Sequence, residues 1–154
     1  MEKLKQLTVK DAESISDAIL KLVLQYDNYP DSMEASHATV KWNSMIPSVS
    51  IGLFPMQGAV YTKQYLSGNY EAQFPFRIQY RSSPTSNPDM LHSQSVLENL
   101  AKWLEECDAE FKDEHITLNG IDRTSVVYPY ATDATGLIFA CTMTAKYFYK
   151  KQEE

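Results

Sequence analysis

Long apolar runs are missing from this chain. No stretch approaches the roughly 20 apolar residues that a bilayer-crossing helix needs. The opening MEKLKQLTVKDAES lacks an apolar signal core, so a cleaved secretory leader is not expected. Cysteine is scarce, with 2 among 154 residues, too few for a disulfide framework; a chain of this length buries an ordinary core without one. Glycine is scarce as well, at 5 residues, and 44% of the chain is apolar, so collagen-like and broadly disordered chains are excluded. Cations are outnumbered, 14 Lys and Arg against 20 Asp and Glu, for a net charge of −6. They are scattered, and the one short basic pair is Lys150-Lys151. Duplex binding needs clustered cations on phosphates, so sequence-specific nucleic-acid binding is not expected.

Motifs that carry chemistry are also lacking. His37, His92 and His115 stand apart, with no HExxH or similar zinc-ligand spacing. There is no GxGxxG, no GxxxxGK[ST] and no GxSxG, so no nucleotide cradle or nucleophile elbow is signalled. The run Asp108–Asp113 lacks the central glycine of a calcium loop. Cys107 and Cys141 fall on expected buried faces, where cysteine acts as a small apolar residue. The expectation is a non-enzymatic protein with no cofactor, no metal and no catalytic residues.

What the chain does have is patterned apolar residues. No internal repeat or linker divides it, so one domain over 1–154 is expected, with frayed ends at 1–6 and 150–154. Val9, Ala12, Ile15, Ile19, Leu22, Val23 and Tyr26 recur at helical spacing, which predicts a helix over 8–25, capped by Thr8 with Asp11. Turn chemistry follows at Asp27–Ser32, then short apolar runs near Ala38–Trp42 and Val49–Phe54. A segment as long as 27–47 in a compact domain is often functional.

The clearest β signal lies in 58–81. Tyr70, Ala72, Phe74, Phe76, Ile78 and Tyr80 alternate with Glu71, Gln73, Arg77, Gln79 and Arg81, so the first set predicts a core face and the second a solvent or subunit-contact face. Pro75 cannot donate to a ladder and predicts an edge or a bulge. Asn87 and Pro88 open a second helix that ends near Asp108, because the acids after Leu104 oppose the helix dipole. Its expected buried stripe is Met90, Leu97, Leu100, Ala101, Leu104 and Cys107. Ile121–Tyr130 is then a candidate strand with Asn119-Gly120 before it, Thr132–Gly136 a turn, and Leu137–Tyr149 a long alternating strand. The expected fold is α+β, with two helices packed on one face of a largely antiparallel sheet in the order α-β-β-β-α-β-β.

Two surface features point outward. Glu105, Glu106, Asp108, Glu110, Asp113 and Glu114 form an acidic segment, read either as a solvated helix end or as a contact surface for a basic partner or neighbouring subunit. The chain holds 10 tyrosines, and Tyr61, Tyr65, Tyr70 and Tyr80 crowd one hairpin. Tyrosine suits strands and interfaces alike.

The segment from Ile51 to Tyr149 resembles a family of small tail proteins of long-tailed phages and prophages of Gram-positive bacteria, the minor capsid or tail-component proteins that look like tail terminators. The likeness is carried by Tyr70-Glu-Ala-Gln-Phe-Pro-Phe-Arg-Ile-Gln-Tyr-Arg81, by Val96-Leu-Glu-Asn-Leu-Ala-Lys-Trp-Leu-Glu105, by Val126-Val-Tyr-Pro-Tyr130 and by the strand from Gly136 to Tyr149. The resemblance implies an α+β subunit of a ring, usually a hexamer, that ends tail-tube polymerisation. Its implied partners are itself, the tail-tube protein and the head-completion or connector proteins. Its implied place is the host cytoplasm during assembly and the head–tail junction of the virion. No membrane role is implied. Tyr61, Tyr65, Tyr70, Arg77 and Arg81 are the expected subunit-contact residues. A head–tail connector or tail-completion protein of the same particle, and a monomeric α+β adaptor, are the rival readings.

Overall fold

A computed structural model describes residues 8–26, 40–47, 49–84, 86–134 and 136–151. The elements are β1 (Thr8–Ala12), α1 (Ile15–Leu24), β2 (Val40–Trp42), β3 (Ser50–Pro55), β4 (Tyr61–Gln64), β5 (Tyr70–Ser82), α2 (Asn87–Glu105), β6 (Asp108–Phe111), β7 (Ile116–Arg123), β8 (Tyr128–Asp133) and β9 (Gly136–Tyr149).

The expected two helices on one face of a largely antiparallel sheet do not hold. Of the described residues, 49% are strand and 23% helix, and the sheet is mixed and curled into a half-barrel. Its path runs β1-β6-β7-β9-β5-β3-β2, with β4 alongside β5 and β8 alongside β9. The two outer pairs, β1 with β6 and β2 with β3, are parallel, and the rest are antiparallel. The terminal strands β1 and β2 both touch α1, while α2 lies along β9, β7 and β5. One short helix can reach both ends of a seven-strand path only if the sheet curls.

The local misreadings have specific causes. Residues 8–12 satisfy a helical period, yet Val9 and Ala12 are buried as strand residues because Asp11, at φ 63°, makes a bulge opposite β6. The helix starts at Ser14 instead, whose side chain accepts from the Asp17 N–H at 3.1 Å. The side chain of Thr8 lies outside the described residues. Asn119-Gly120 does not precede a strand but lies inside β7, and the expected strand over Ile121–Tyr130 is split between β7 and β8. Gly120 has φ 146°, and the ladder of β7 with β9 shifts register between Leu118 and Gly120, so the pair is a bulge within one strand. In the acidic run, Asp108 and Glu110 are exposed while Ala109 is buried, which makes a strand. At α2 the cap is Ser86, one residue before Asn87. Met90 is exposed there, and Ser93, bonded to Ser82 at 2.8 Å, takes a place in the buried stripe.

The long strands follow their alternation. β5 and β9 pair from Tyr70↔Tyr149 to Ser82↔Leu137. Their inward set, including Phe76, Ile78, Tyr80, Phe139, Cys141 and Met143, joins Ile19, Leu22, Leu97, Leu100 and Leu104 in one core. Pro75 sits at neither a free edge nor a bulge. Its carbonyl accepts from the Met56 N–H at 2.9 Å on the side where β3 gives way to β4. In an antiparallel strand a residue's N and carbonyl point to the same side, so the missing N–H faces that seam and costs β9 no ladder bond.

Candidate functional site

The five expected contact residues separate into two places, the β4–β5 hairpin and the far half of β5. Tyr61, Tyr65 and Tyr70 gather at the β4–β5 hairpin. Arg77 and Arg81 lie about 23 and 36 Å further along the same strand at the usual rise per residue.

The hairpin closes through Tyr65 N–H to the Asn69 carbonyl at 2.9 Å and Gly68 N–H to the Tyr65 carbonyl at 3.0 Å, with Gly68 at φ 92°. The backbone N–H of Lys151, beyond β9, donates to Asn69 Oδ1 at 2.8 Å and ties the turn down. Tyr70 stacks on Tyr149 with centroids 4.9 Å apart, and Tyr61 meets Tyr70 edge-on at 4.9 Å. Tyr65 lies on the other face, against Phe148 at 6.4 Å, with its hydroxyl donating to Glu71 Oε1 at 3.3 Å and Lys63 Nζ 5.0 Å from its ring. Burial raises the hydroxyl of Tyr70 above the ordinary tyrosine value, and neighbouring Tyr147, Tyr61 and Tyr149 add to it. A depression of about 250 Å³ is lined by Tyr61, Gln64, Tyr65, Gly68, Asn69 and Tyr70. Tyr61 is 51% exposed, and Val60, Tyr65 and Leu66 are exposed with it. Every residue of β4 is exposed, and among the described residues it pairs with β5 alone.

Arg77 and Arg81 lie on the outer face of the sheet, but their surroundings differ. Arg81 is buried, and its Nη1 donates to both carboxylate oxygens of Asp133, at 2.7 and 2.6 Å. Its charge is engaged within the subunit. Arg77 is half-buried. Its guanidinium carbon lies 4.6 Å from the centroid of Tyr130 and 5.3 Å from that of Phe54, with Nε donating to Gln79 Oε1 at 2.6 Å. Gln79 Nε2 reaches Met45 Sδ at 3.3 Å. Gly52 makes this packing possible: a Cβ there would stand 2.7 Å from the Phe54 ring and 2.9 Å from the Ser44 carbonyl. The alternation of β5 identifies Arg77. Gln79, two residues on, shares that phase, but Phe54 and Tyr130 come from two other strands, and only the ladder registers bring them in.

The remaining candidates are dispersed. His115 Nδ1 lies 2.8 Å from Asp113 Oδ1; hydrogen bonds from the His115 backbone and ring lower the Asp113 carboxyl. His92 is exposed on α2, and His37 lies outside the described residues. Among the described residues, no three His, Cys, Asp or Glu are grouped to hold a metal ion. Burial pushes Cys107 up to about 12 and Cys141 up to about 11. In the acidic segment, Glu105 pairs with Arg123 at 3.4 Å and Lys112 with Glu13 at 2.8 Å. A polar trough of about 610 Å³ lies between α2 and β7, lined by Glu98, Asn99, Lys102, Glu105, Glu106 and Arg123. Part of segment 27–47 is described: Val40–Trp42 pairs with β3 and Met45 covers Gln79, while 27–39 lie outside the described residues. No described helix is long and apolar enough to cross a membrane.

No protein-family model matches this chain, and no curated protein matches it.

Proposed function

We propose that this protein is a non-enzymatic structural subunit of a phage or prophage tail, a tail terminator that assembles into a ring, with six copies the expected number. The ring would cap the tail tube and join it to the head-completion proteins, forming in the host cytoplasm and ending at the head–tail junction. One observation carries the reading beyond the resemblance: the β4–β5 hairpin exposes Val60, Tyr61, Tyr65 and Leu66 beside a strand edge that has no partner among the described residues. Exposed aromatic and aliphatic residues on an unpaired edge are the usual material of protein contacts.

The test is solution mass by light scattering across concentration, followed by tail-tube assembly with and without the protein. A hexamer-sized particle and tubes of limited length are expected. Tyr61→Asp with Tyr65→Asp is expected to abolish assembly while the monomer keeps its circular dichroism. Tubes that grow without limit in the presence of the protein would overturn the terminator reading.

A further inference from the structure

We infer that the outer-face patch around Arg77, with Phe54 and Tyr130, docks on the acidic outer face of β6 in a second copy of the chain. This rests on the self-assembly reading above but concerns a different surface from the tyrosine hairpin.

The two patches share one face of the sheet. Arg77 pairs with Thr142 and Glu110 with Thr117, which pairs in turn with Phe148. Thr142 and Phe148 are six residues apart on β9, so their side chains stand on the same side. Asp108, two residues before Glu110, shares it. Along this face Arg77 stands among aromatic rings on β5 and two carboxylates stand on β6, with Glu71 nearer the hairpin end of β5.

Neither half is ion-paired among the described residues. Arg77 has no carboxylate partner, and Glu110 and Asp108 no cation partner, among the described residues. Two other outer-face acids differ, since Asp122 meets Lys146 at 3.0 Å and Asp133 meets Arg81, while Glu71 accepts from the Tyr65 hydroxyl. Three strand spacings and six residues of rise put Arg77 and Glu110 about 25 Å apart. That is well beyond the screening length of about 8 Å at physiological salt, so they do not stabilise each other in one subunit.

The cationic half is also built for contact. Phe54 and Tyr130 flank the guanidinium, and Gln79 holds Nε, so the side chain is already ordered. An ordered arginine loses little freedom on binding, and its remaining fork suits a carboxylate. Tyr130 is 46% exposed and Met56 lies exposed at the end of β3. Arginine, tyrosine and methionine are the residues enriched at interface centres. Complementary charge on the same chain selects a second copy as the occupant.

The experiment is concentration-dependent light scattering of the full chain at low and high salt. It compares the wild type with Arg77→Glu, with Asp108→Arg/Glu110→Arg, and with the three substitutions combined. Wild-type association is expected to weaken with salt. Each reversal is expected to weaken it at least about tenfold in Kd, and the combined exchange to restore most of the loss. Near-UV circular dichroism checks each fold; if Arg77→Glu does not fold, the exposed β6 reversal carries the test alone. Association unchanged by the β6 reversal, or folded single reversals that the exchange does not rescue, would overturn the inference while leaving the ring intact. A charge-dependent strict dimer would support the contact and overturn the ring. A wild type monomeric at every concentration would overturn the contact, and the tube-length assay would still judge the terminator reading.

Discussion

Arg81 and Asp133 lie 52 residues apart in sequence and meet through two hydrogen bonds of 2.7 and 2.6 Å across β9. The arginine side chain is 10% exposed and the aspartate 48%. Asp133→Ala removes the carboxylate that compensates a buried guanidinium. The partial exposure of Asp133 screens the pair, so the expected cost is about 1–2 kcal/mol. Urea unfolding measures it, and an unchanged midpoint would show the pair to be inert. Arg77→Gln gives up the two ring contacts and the ordered guanidinium, and is expected to cost about 1 kcal/mol by the same measurement.

Gly136 opens β9 at φ 144°, and a Cβ there would run into the carbonyl oxygen of Ser82. Backbone rather than a flexible side chain is in the way, so neither partner can move aside cheaply. Gly136→Ala is expected to cost about 2 kcal/mol or more. Gly120→Ala is a useful comparison: its φ of 146° is equally unusual, but its Cβ meets open space. A smaller loss at Gly120 in thermal unfolding would separate steric conflict from backbone strain.

Ser14 and Asp17 bracket the start of α1. Ser14 Oγ accepts the Asp17 N–H at 3.1 Å, and Asp17 Oδ2 accepts the Glu13 N–H at 3.0 Å. Ser14→Ala is expected to cost about 1 kcal/mol. The bond from the Glu13 backbone, then the one from Lys21, lowers the Asp17 carboxyl below its ordinary value of 3.8. A lowered carboxyl contributes stability that is complete above that ordinary value and lost as pH falls through the lower folded value. Asp17→Asn should therefore reduce stability at neutral pH and flatten the acid limb of a stability profile below about pH 4. A mutant profile parallel to wild type throughout would refute this.

Cys107 and Cys141 should be silent towards thiol reagents in the folded protein. With burial raising them to about 12 and about 11, the reactive thiolate is scarce at pH 8. Ellman's reagent is expected to label neither over minutes in buffer and both in concentrated urea. Rapid labelling of one thiol in buffer would mean that its part of the core opens.

Much of the fold was legible where a single period dominates. The alternation in Tyr70–Tyr80 and Leu137–Tyr149 marked both central strands and their inward faces, and Leu97, Leu100, Ala101 and Leu104 marked α2. Val9 and Ala12 misled because three-residue spacing fits a helix as well as a bulged strand. The acidic character of Asp108–Phe111 hid a strand whose burial rests on Ala109 and Phe111. Tyr61, Tyr65 and Tyr70 were legible as a crowd, since one tight hairpin places them near each other, but Tyr80, read with them, lies in the core further along β5. The arginines were not distinguishable, because both occupy the same outward phase of β5.

Periodicity along the chain thus determined which residues of β5 and β9, and of α2 from Leu97 onward, face inward, since those spacings follow from local backbone geometry alone. The tertiary structure decided the parallel pairing of β1 with β6, the curl that brings both sheet ends to α1, and the separate surroundings of Arg77 and Arg81. Those depend on partners tens of residues away, such as Asp133, Phe54 and Tyr130, whose positions only the register of the folded strands determines.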